Sequence, residues 1–521
     1  MPEFDYIVVG AGTAGCVLAA RLSEDERVQV LLLEAGSGDR TRAMTVPSAW
    51  PENLGSSADW AQPTTPQADA GPIIYPRGRT LGGGSAINAM GHIRAHPAVY
   101  ESWAAGGAPG WGYDGLLPYF RRSERADGRD PARRGTSGPV RVGPATTGRH
   151  PVAQAFAAGL AATGCPPTDD LSGARPEGAA WVDLAIADGE RVSSADAYLR
   201  PVLNRPNLTV LTNCLVTGLN VRESRCAGVN YVADGVRDRA GAGTEVVLAA
   251  GAIGSPRLLM LSGIGPAGAL RACGLDVVAD IAGVGQNLQD HPVVMVTYAA
   301  ADSLPVSRYN HGELYATVRT ELAGDYPDLQ LFPILLPLAA AGFESPAAGC
   351  NLAAAVVAPS SRGSVRLASP APDAAPLIDP GFLTHPRDLD RIEAGLELIR
   401  AAAAAPEFAA ELAGRLTGAK LTEQWPGPDA TSREALRGYA RRAVESHYHP
   451  AGTCRMGTGA DAVVDPELKV RGVDGLRVVD ASIMPTITNI LPNATVLAIA
   501  ERAAALIQGE RLLSQGFSAS A

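Results

Sequence analysis

A chain of 521 residues, 46% hydrophobic and 19% charged, exceeds one ordinary core and holds material for two domains or one large interleaved unit. Its formal charge of −10 excludes nucleic acid as a partner, and no stretch approaches the roughly 18 consecutive apolar residues of a membrane span. Its seven cysteines, scattered and never spaced C-x-x-C, exclude a disulfide framework and a zinc knuckle and read as small buried hydrophobes.

The opening MPEFDYIVVGAG carries acids where a secretory signal needs positive charge, and its apolar run is short, so a cytoplasmic protein is expected. Tyr6 to Val9 form a β-type run directly before Gly10, Gly12 and Gly15, and Val17, Leu18, Ala20 and Leu22 then follow helical spacing. In such a strand, turn and helix, Gly10 permits the sharp turn, Gly12 lets the backbone approach a pyrophosphate, and Gly15 lets helix and strand pack closely. The helix N-terminus adds N–H donors and a partial positive charge. VQVLLLEAG supplies a second buried strand ending at Glu34, where an acid bonds a ribose hydroxyl pair. That carboxylate disfavours a 2′-phosphate, which leaves FAD or NAD in preference to NADP.

PRGRTLGGGSAINAMG, residues 76 to 91, is a glycine-rich loop whose backbone must come near something flat or anionic. LTVLTNCLVTGLNVRESRCAGVNYVADGV alternates strand runs with turn residues and predicts a small antiparallel meander. EVVLAAGAIGSPRLLMLSGIG predicts a strand feeding a helix with Ser255 at the N-cap, Pro256 at the first helical position and Gly263 at the end. PDLQLFPILLPLAAAGF and GSVRLAS are strands of a different sheet, SPAPDAAPLIDP is a loop, and AAAAAPEFAAELAG is a helix pair divided at Pro406. The tail GFSASA is expected to fray.

Two stretches then carry a resemblance. Gly78, Arg79, Leu81, Gly82, Gly83, Gly84, Ser85 and Asn88 match one signature of the glucose-methanol-choline (GMC) oxidoreductase family. Gly251, Ala252, Ser255, Pro256, Leu258, Leu259, Ser262, Gly263, Ile264 and Gly265 match the second. The sequence resembles the family further through VGQNLQDHP, SSRGSVRLAS, HPAGTCRMG and LRVVDASIMPTITNILPNATVLAIAERAA, so over essentially the whole chain. The resemblance implies an α/β fold in which a Rossmann-type FAD-binding domain (1–95, 190–295 and 446–521) is interleaved with an α+β substrate-binding domain. The latter, with connecting segments, is built on an antiparallel sheet from 96–189 and 296–445.

Carried over residue by residue, the resemblance implies cofactor contacts at Gly10, Gly12, Thr13, Ala14, Gly15, Glu34 and Ala35, and at Trp60 and Gly83. Asn88, Ala89, Met90 and Gly91 would run past the flavin ring, and Val216 would touch the adenine side. Asp480 and Ala481 would lie near the phosphates or ribityl chain, with Asn493 and Ala494 completing the set. Ile87 stands where some members attach FAD through a histidine, so non-covalent FAD is expected. His92 stands where a large aromatic is usual and reads as a packing replacement.

SHYHPAGTCRMG places His447 and His449 one residue apart. A metal site needs further ligands that nothing nearby in the sequence supplies, so no metal is expected. An alcohol gives up a hydride only when its hydroxyl proton also leaves, and imidazole is the side chain best suited to take it. The family's H-x-x-G-T falls on His449, Gly452 and Thr453, which makes His449 the implied base, over the flavin ring. If the segment is extended, His447 shares its face and either supports it or is purely structural. The family's second catalytic position falls on Asn493, which can donate to and accept from the substrate oxygen and is also a candidate helix N-cap. Its helix would direct a positive end at the flavin's pyrimidine side. Asp290 with His291 looks like a dyad but belongs to a loop that the family uses structurally.

The function implied is FAD-dependent oxidation of a small primary or aromatic alcohol to the aldehyde, with dioxygen or a quinone-type acceptor reoxidising the flavin. Phe332, Leu335, Leu336, Phe343 and Trp425 suggest a mainly apolar substrate pocket. The alternative is an FAD-containing lyase of the hydroxynitrile lyase kind or another non-oxidase member of the same fold; Asn493 argues against the lyase because those relatives favour two histidines.

Overall fold

The computed structural model describes residues 3–509, so the tail GFSASA lies outside the described residues. Two seven-stranded sheets organise the chain. In the first, Glu3–Val9 lies between Val30–Leu33 and Val236–Leu248 and runs parallel to both. Val30–Leu33 is apolar at every position and buried throughout, as a parallel strand covered on both faces must be. Beyond Val236–Leu248 the sheet becomes antiparallel through Arg225–Ala233 and Cys214–Arg222. Leu476–Val478 returns from the far end of the chain to pair in parallel with Val236–Leu248.

The expected meander is therefore shorter than the sequence suggests. Leu208–Leu211 leaves it and lies parallel to Val30–Leu33 at the sheet's edge. Asn213, in the left-handed region at φ 51°, redirects the chain before the meander starts at Cys214.

The second sheet orders Leu421–Trp425, Pro292–Ala300, Gly349–Val356, Leu329–Ile334, Leu314–Val318 and Gly178–Trp181, all neighbours antiparallel, with Glu445–Ser446 beside Pro292–Ala300. The GSVRLAS segment does not join it: Ser364–Arg366 pairs with Leu377–Asp379 as a separate ribbon, so part of the Pro-rich segment is a strand and not a loop. Helix Pro386–Ala404 covers one face, where Gly395 sits against Leu329 and Ala354. Strand alternation then turns Phe332 and Ile334 to the opposite face, toward the first sheet's cavity. The next helix starts at Pro406, as expected. We propose that these two sheets mark the two interleaved domains.

Helix Gly251–Leu261 begins ahead of Ser255, which is not its N-cap. Pro256 sits inside the helix instead of at its first position, and lacks the N–H that would bond the Ala252 carbonyl. The Thr453 hydroxyl donates to that carbonyl at 2.6 Å, so the interior proline joins the helix to the H-x-x-G-T segment. Gly263, at φ 77°, follows the helix end as the sequence predicts. The last helix, Asn493–Ile507, is buried on nearly every side, and Arg21 of Thr13–Leu22 pairs with its Glu501 at 2.7 Å.

Candidate active site

Three glycines shape the first turn differently. A Cβ at Gly10 (φ 98°) would lie 2.7 Å from the Ala249 carbonyl oxygen, and one at Gly15 would lie 1.8 Å from that of Gly10. At Gly12 a Cβ would meet no protein atom nearer than 3.9 Å. Gly10 and Gly15 are thus closed by packing, whereas Gly12 faces open space that a side chain would fill. The second glycine loop closes from above: Gly82 donates its N–H to the Ala11 carbonyl at 2.7 Å, and a Cβ at Gly83 would lie 2.6 Å from the Gly12 Cα.

Between these loops and the second sheet runs one cavity of about 560 Å³. Gly10, Gly12, Thr13 and Ala14 border it with Glu34 and Ala35, and so do Trp60, Gly83 and Val216. Asn88, Ala89, Met90 and Gly91 continue the wall to Asp480, Ala481, Asn493 and His449. Two residues expected among the contacts do not border the cavity. Gly15 lies behind the wall because its close packing on Gly10 excludes anything else, and Ala494 is buried inside the last helix. Phe332 and Leu336 border the cavity, but Leu335, Phe343 and Trp425 do not. Phe343 and Trp425 pack edge to face at 5.2 Å away from it. His92 is buried against Glu124 at 2.8 Å, a packing role.

Glu34 accepts the Ala11 N–H on Oε2 at 2.9 Å and the Gly36 N–H on Oε1 at 2.8 Å. Burial raises its pKa to about 7, the two backbone donors opposing. One lone pair remains on each oxygen for further donors. Asp480 accepts the Gly251 N–H and the Ser255 hydroxyl on Oδ2 (2.9 and 2.6 Å) and the Ser482 N–H on Oδ1 (2.8 Å), tying the returning strand to the helix.

The histidine pair is held differently from expectation. Tyr448 adopts φ 65°, so the segment is kinked there and not extended. The kink nevertheless brings the two rings to 4.4 Å, with His447 stacked on Phe332 at 4.6 Å and 9°. Asp290 Oδ1 accepts the backbone N–H groups of both His291 (2.7 Å) and His449 (2.8 Å), and its Oδ2 accepts the Ser446 hydroxyl at 2.5 Å.

His291 is the residue that the sequence reading missed. Its Nε2 lies 2.8 Å from the Thr488 carbonyl oxygen, which can only accept, so Nε2 carries the proton. Burial lowers the His291 pKa to about 3, so the ring is neutral and its Nδ1 is an acceptor. His449 Nδ1, 3.0 Å away, must therefore be the protonated donor. The His449 Nε2 is left with a bare lone pair, and burial holds the pKa of this ring well below the usual histidine range. The adjacency of Asp290 and His291 was visible in the sequence; their partner, 158 positions on, was not.

His291, His447 and His449 also place one nitrogen each within 4.8 Å of one another, a third ligand that the sequence did not reveal. One of those contacts is the proton-sharing pair just described, which favours proton handling. Asn493 has its Oδ1 occupied by the Thr13 hydroxyl at 2.8 Å, which leaves its amide N–H groups as donors. It is the first helical residue, behind Pro492, and not the N-cap.

Residues 4–293 match the N-terminal model of GMC oxidoreductases and 359–500 the C-terminal one. The chain belongs to the GMC oxidoreductase family. This GMC oxidoreductase is 37% identical to the mitochondrial choline dehydrogenase of Mus musculus, over 98% of its own length and 90% of the relative's. It is 36% identical to the oxygen-dependent choline dehydrogenase of Photobacterium profundum, with 98% and 94% covered. Pyridoxine 4-oxidase from Mesorbium loti superposes with a TM-score of 0.91 at 37% identity, covering 96% and 98% of the two chains. As a member, it is an FAD-dependent oxidoreductase acting on CH–OH groups. The wall fits that cofactor: the open space at Gly12, the spare lone pairs of Glu34 and Ile87 in place of an attaching histidine suit a non-covalent dinucleotide. The lyase alternative finds no support among these relatives. Among the described residues, no helix is long and apolar enough to cross a membrane.

Proposed function

We propose that His449 and Asn493 are the catalytic pair of this oxidation and that the substrate is a small primary or aromatic alcohol. Bound FAD supplies the hydride acceptor. His449 takes the hydroxyl proton on Nε2, and its Nδ1–H continues to donate to His291, so the imidazolium stays oriented while it carries the charge. Asn493 donates an amide N–H to the substrate oxygen, because its own oxygen is committed to Thr13. Phe332, Tyr315 and Leu336 present an apolar surface to the rest of the alcohol. Glu34 receives the ribose hydroxyls, and Gly12 with its helix N-terminus receives the pyrophosphate. Dioxygen or a quinone-type compound removes the electrons afterwards.

The observation that carries this reading is the fixed tautomer of His449, set through His291 by one backbone carbonyl. The test is anaerobic mixing of the yellow holoenzyme with a panel of alcohols. Bleaching of the flavin band is expected, and admitted air separates dioxygen from other acceptors by the speed of recovery. His449→Ala should slow bleaching by ~10²–10⁴-fold with flavin still bound. Unchanged bleaching in that variant would remove His449 as the base.

A further inference from the structure

Several arginines buried in this fold are matched by acids: Arg94 and Arg134 share Glu124, and Arg391 pairs with Asp328 and Asp388. Arg191 differs. It is 2% exposed, its Nε donates to the Met44 carbonyl at 2.9 Å, and its Nη1 donates to the Ser85 carbonyl at 3.2 Å and to Asn88 Oδ1 at 2.9 Å. Its Nη2 is buried without a partner. Asp196, five residues on, commits its oxygens to Ser193 and Arg200. Burial pulls the Arg191 pKa down to about 9, with the Asp196 charge opposing, so the guanidinium stays charged at neutral pH. A cation drawn out of water and held only by carbonyl and amide oxygens is costly, and it is relieved by an anionic charge arriving nearby.

Its place in the fold points at the cavity wall. Arg191 ends the hairpin of Ile186–Ala187 and Glu190–Arg191, and the Ser194 N–H that follows donates to the Ser85 hydroxyl at 2.9 Å. The segment is thereby fastened to the back of the glycine-rich loop, away from the cavity that Gly83, Gly84 and Asn88 border. Asn88 is the link. Its Oδ1 accepts both the Arg191 Nη1–H and the Met90 N–H at 2.9 Å, so one side chain joins the buried charge to residues 88–91 of the wall. Hydride uptake turns a neutral oxidised flavin ring into an anion, and a fixed cation behind the wall favours the reduced state.

We propose that Arg191 is a positioning residue whose unpaired charge, set behind residues 88–91, stabilises the anionic reduced flavin and so raises the reduction potential of the bound FAD. This inference rests on the flavin ring running past residues 88–91, which the family resemblance implies, and not on the choice of His449 as base or on the alcohol oxidised.

The test needs no alcohol. Midpoint potentials of the flavin-loaded protein are measured by dye equilibration for wild type, Arg191→Met, Arg191→Gln and Arg191→Lys. FAD retention is measured beside them, and so is the Kd for sulfite, which adds to an oxidised flavin and leaves the ring anionic. Arg191→Met should shift the two-electron equilibrium toward the oxidised state by ~10–100-fold, a fall of about 30–60 mV, and weaken sulfite by a similar factor. Arg191→Gln keeps a donor for the carbonyls without the charge and should fall as far, whereas Arg191→Lys keeps a cation and should lie between these variants and wild type. Both readouts come from the flavin-bound fraction, so protein that fails to fold does not enter them. A Gln variant at the wild-type potential would assign Arg191 to holding the loop alone, and an unchanged potential with faster loss of FAD would assign its charge to the pyrophosphate. Either result overturns the inference. Failure of every alcohol to bleach the flavin defeats the reading of the reaction and leaves these potentials as they are.

Discussion

The Thr13 hydroxyl donates to the Asn493 amide oxygen across 2.8 Å, although 480 positions separate them in the chain. This bond joins the first helix to the last at the cavity wall and fixes which end of the amide is left without a partner from Thr13. Thr13→Val removes the donor at nearly constant volume, and Asn493 becomes free to turn its oxygen outward. We expect kcat to fall ~5–50-fold with flavin content unchanged, and Thr13→Ser to recover most of the loss. Rapid flavin reduction measured under anaerobic conditions checks it; a Val variant equal to wild type would show that the bond does not orient the amide.

Gly12→Ala and Gly15→Ala should fail in different ways. At Gly15 the new Cβ would overlap the Gly10 carbonyl, so strand and helix must separate, and little folded protein is expected. At Gly12 the methyl enters open space. The Gly12 variant should fold and melt like the wild-type apoprotein but hold FAD at least ~10-fold more weakly. Thermal melts with and without added FAD distinguish the two.

Removing His291 should impair catalysis through the tautomer of His449. In His291→Ala the Nδ1–H of His449 loses its acceptor, and the proton can settle on Nε2 instead. A fall in kcat of ~10–100-fold is expected, with a changed pH profile and partial rescue by added imidazole, whereas KM moves little. A proportional loss of folded protein and activity, with an unaltered pH profile, would reduce His291 to a structural part.

Acid should destabilise the site. Burial lowers the pKa of both His291 and His447 to about 3 and holds His449 well below the usual range. Between about 6.5 and those values the unfolded chain binds protons that the folded one refuses, so the contribution is complete above pH 6.5 and is lost as pH falls. Each such histidine costs about 1.4 kcal/mol per pH unit in that window. Buried carboxylates with raised pKa oppose this slope, so the clean measure is a difference: His447→Phe should lose less stability than wild type between pH 7 and 5. The same depression predicts a kcat/KM profile without an acid limb near pH 6.5.

Much of the architecture was legible because parallel strands buried on both faces, such as Val30–Leu33, announce themselves as unbroken apolar runs. The glycine spacing told turn from packing correctly at Gly10 and Gly15, since steric demands are local. Boundaries failed where a tertiary partner replaced a local one. Pro256 sits mid-helix because Thr453 takes the carbonyl it frees, and Leu208–Leu211 joins a parallel edge that its own alternation does not encode. The site divides likewise: His449 and Asn493 came from motif, but His291, Thr488 and Thr13 act through contacts between distant segments that one sequence cannot reveal.

The first sheet is completed by Leu476–Val478, and Arg21 pairs with Glu501 of the last helix as well as with its own neighbour Glu24. Any fragment that stops short of Leu476 therefore lacks a strand of the first sheet, the last helix and the Asn493 amide at the cavity wall, and is left with an unfinished sheet and an open cavity.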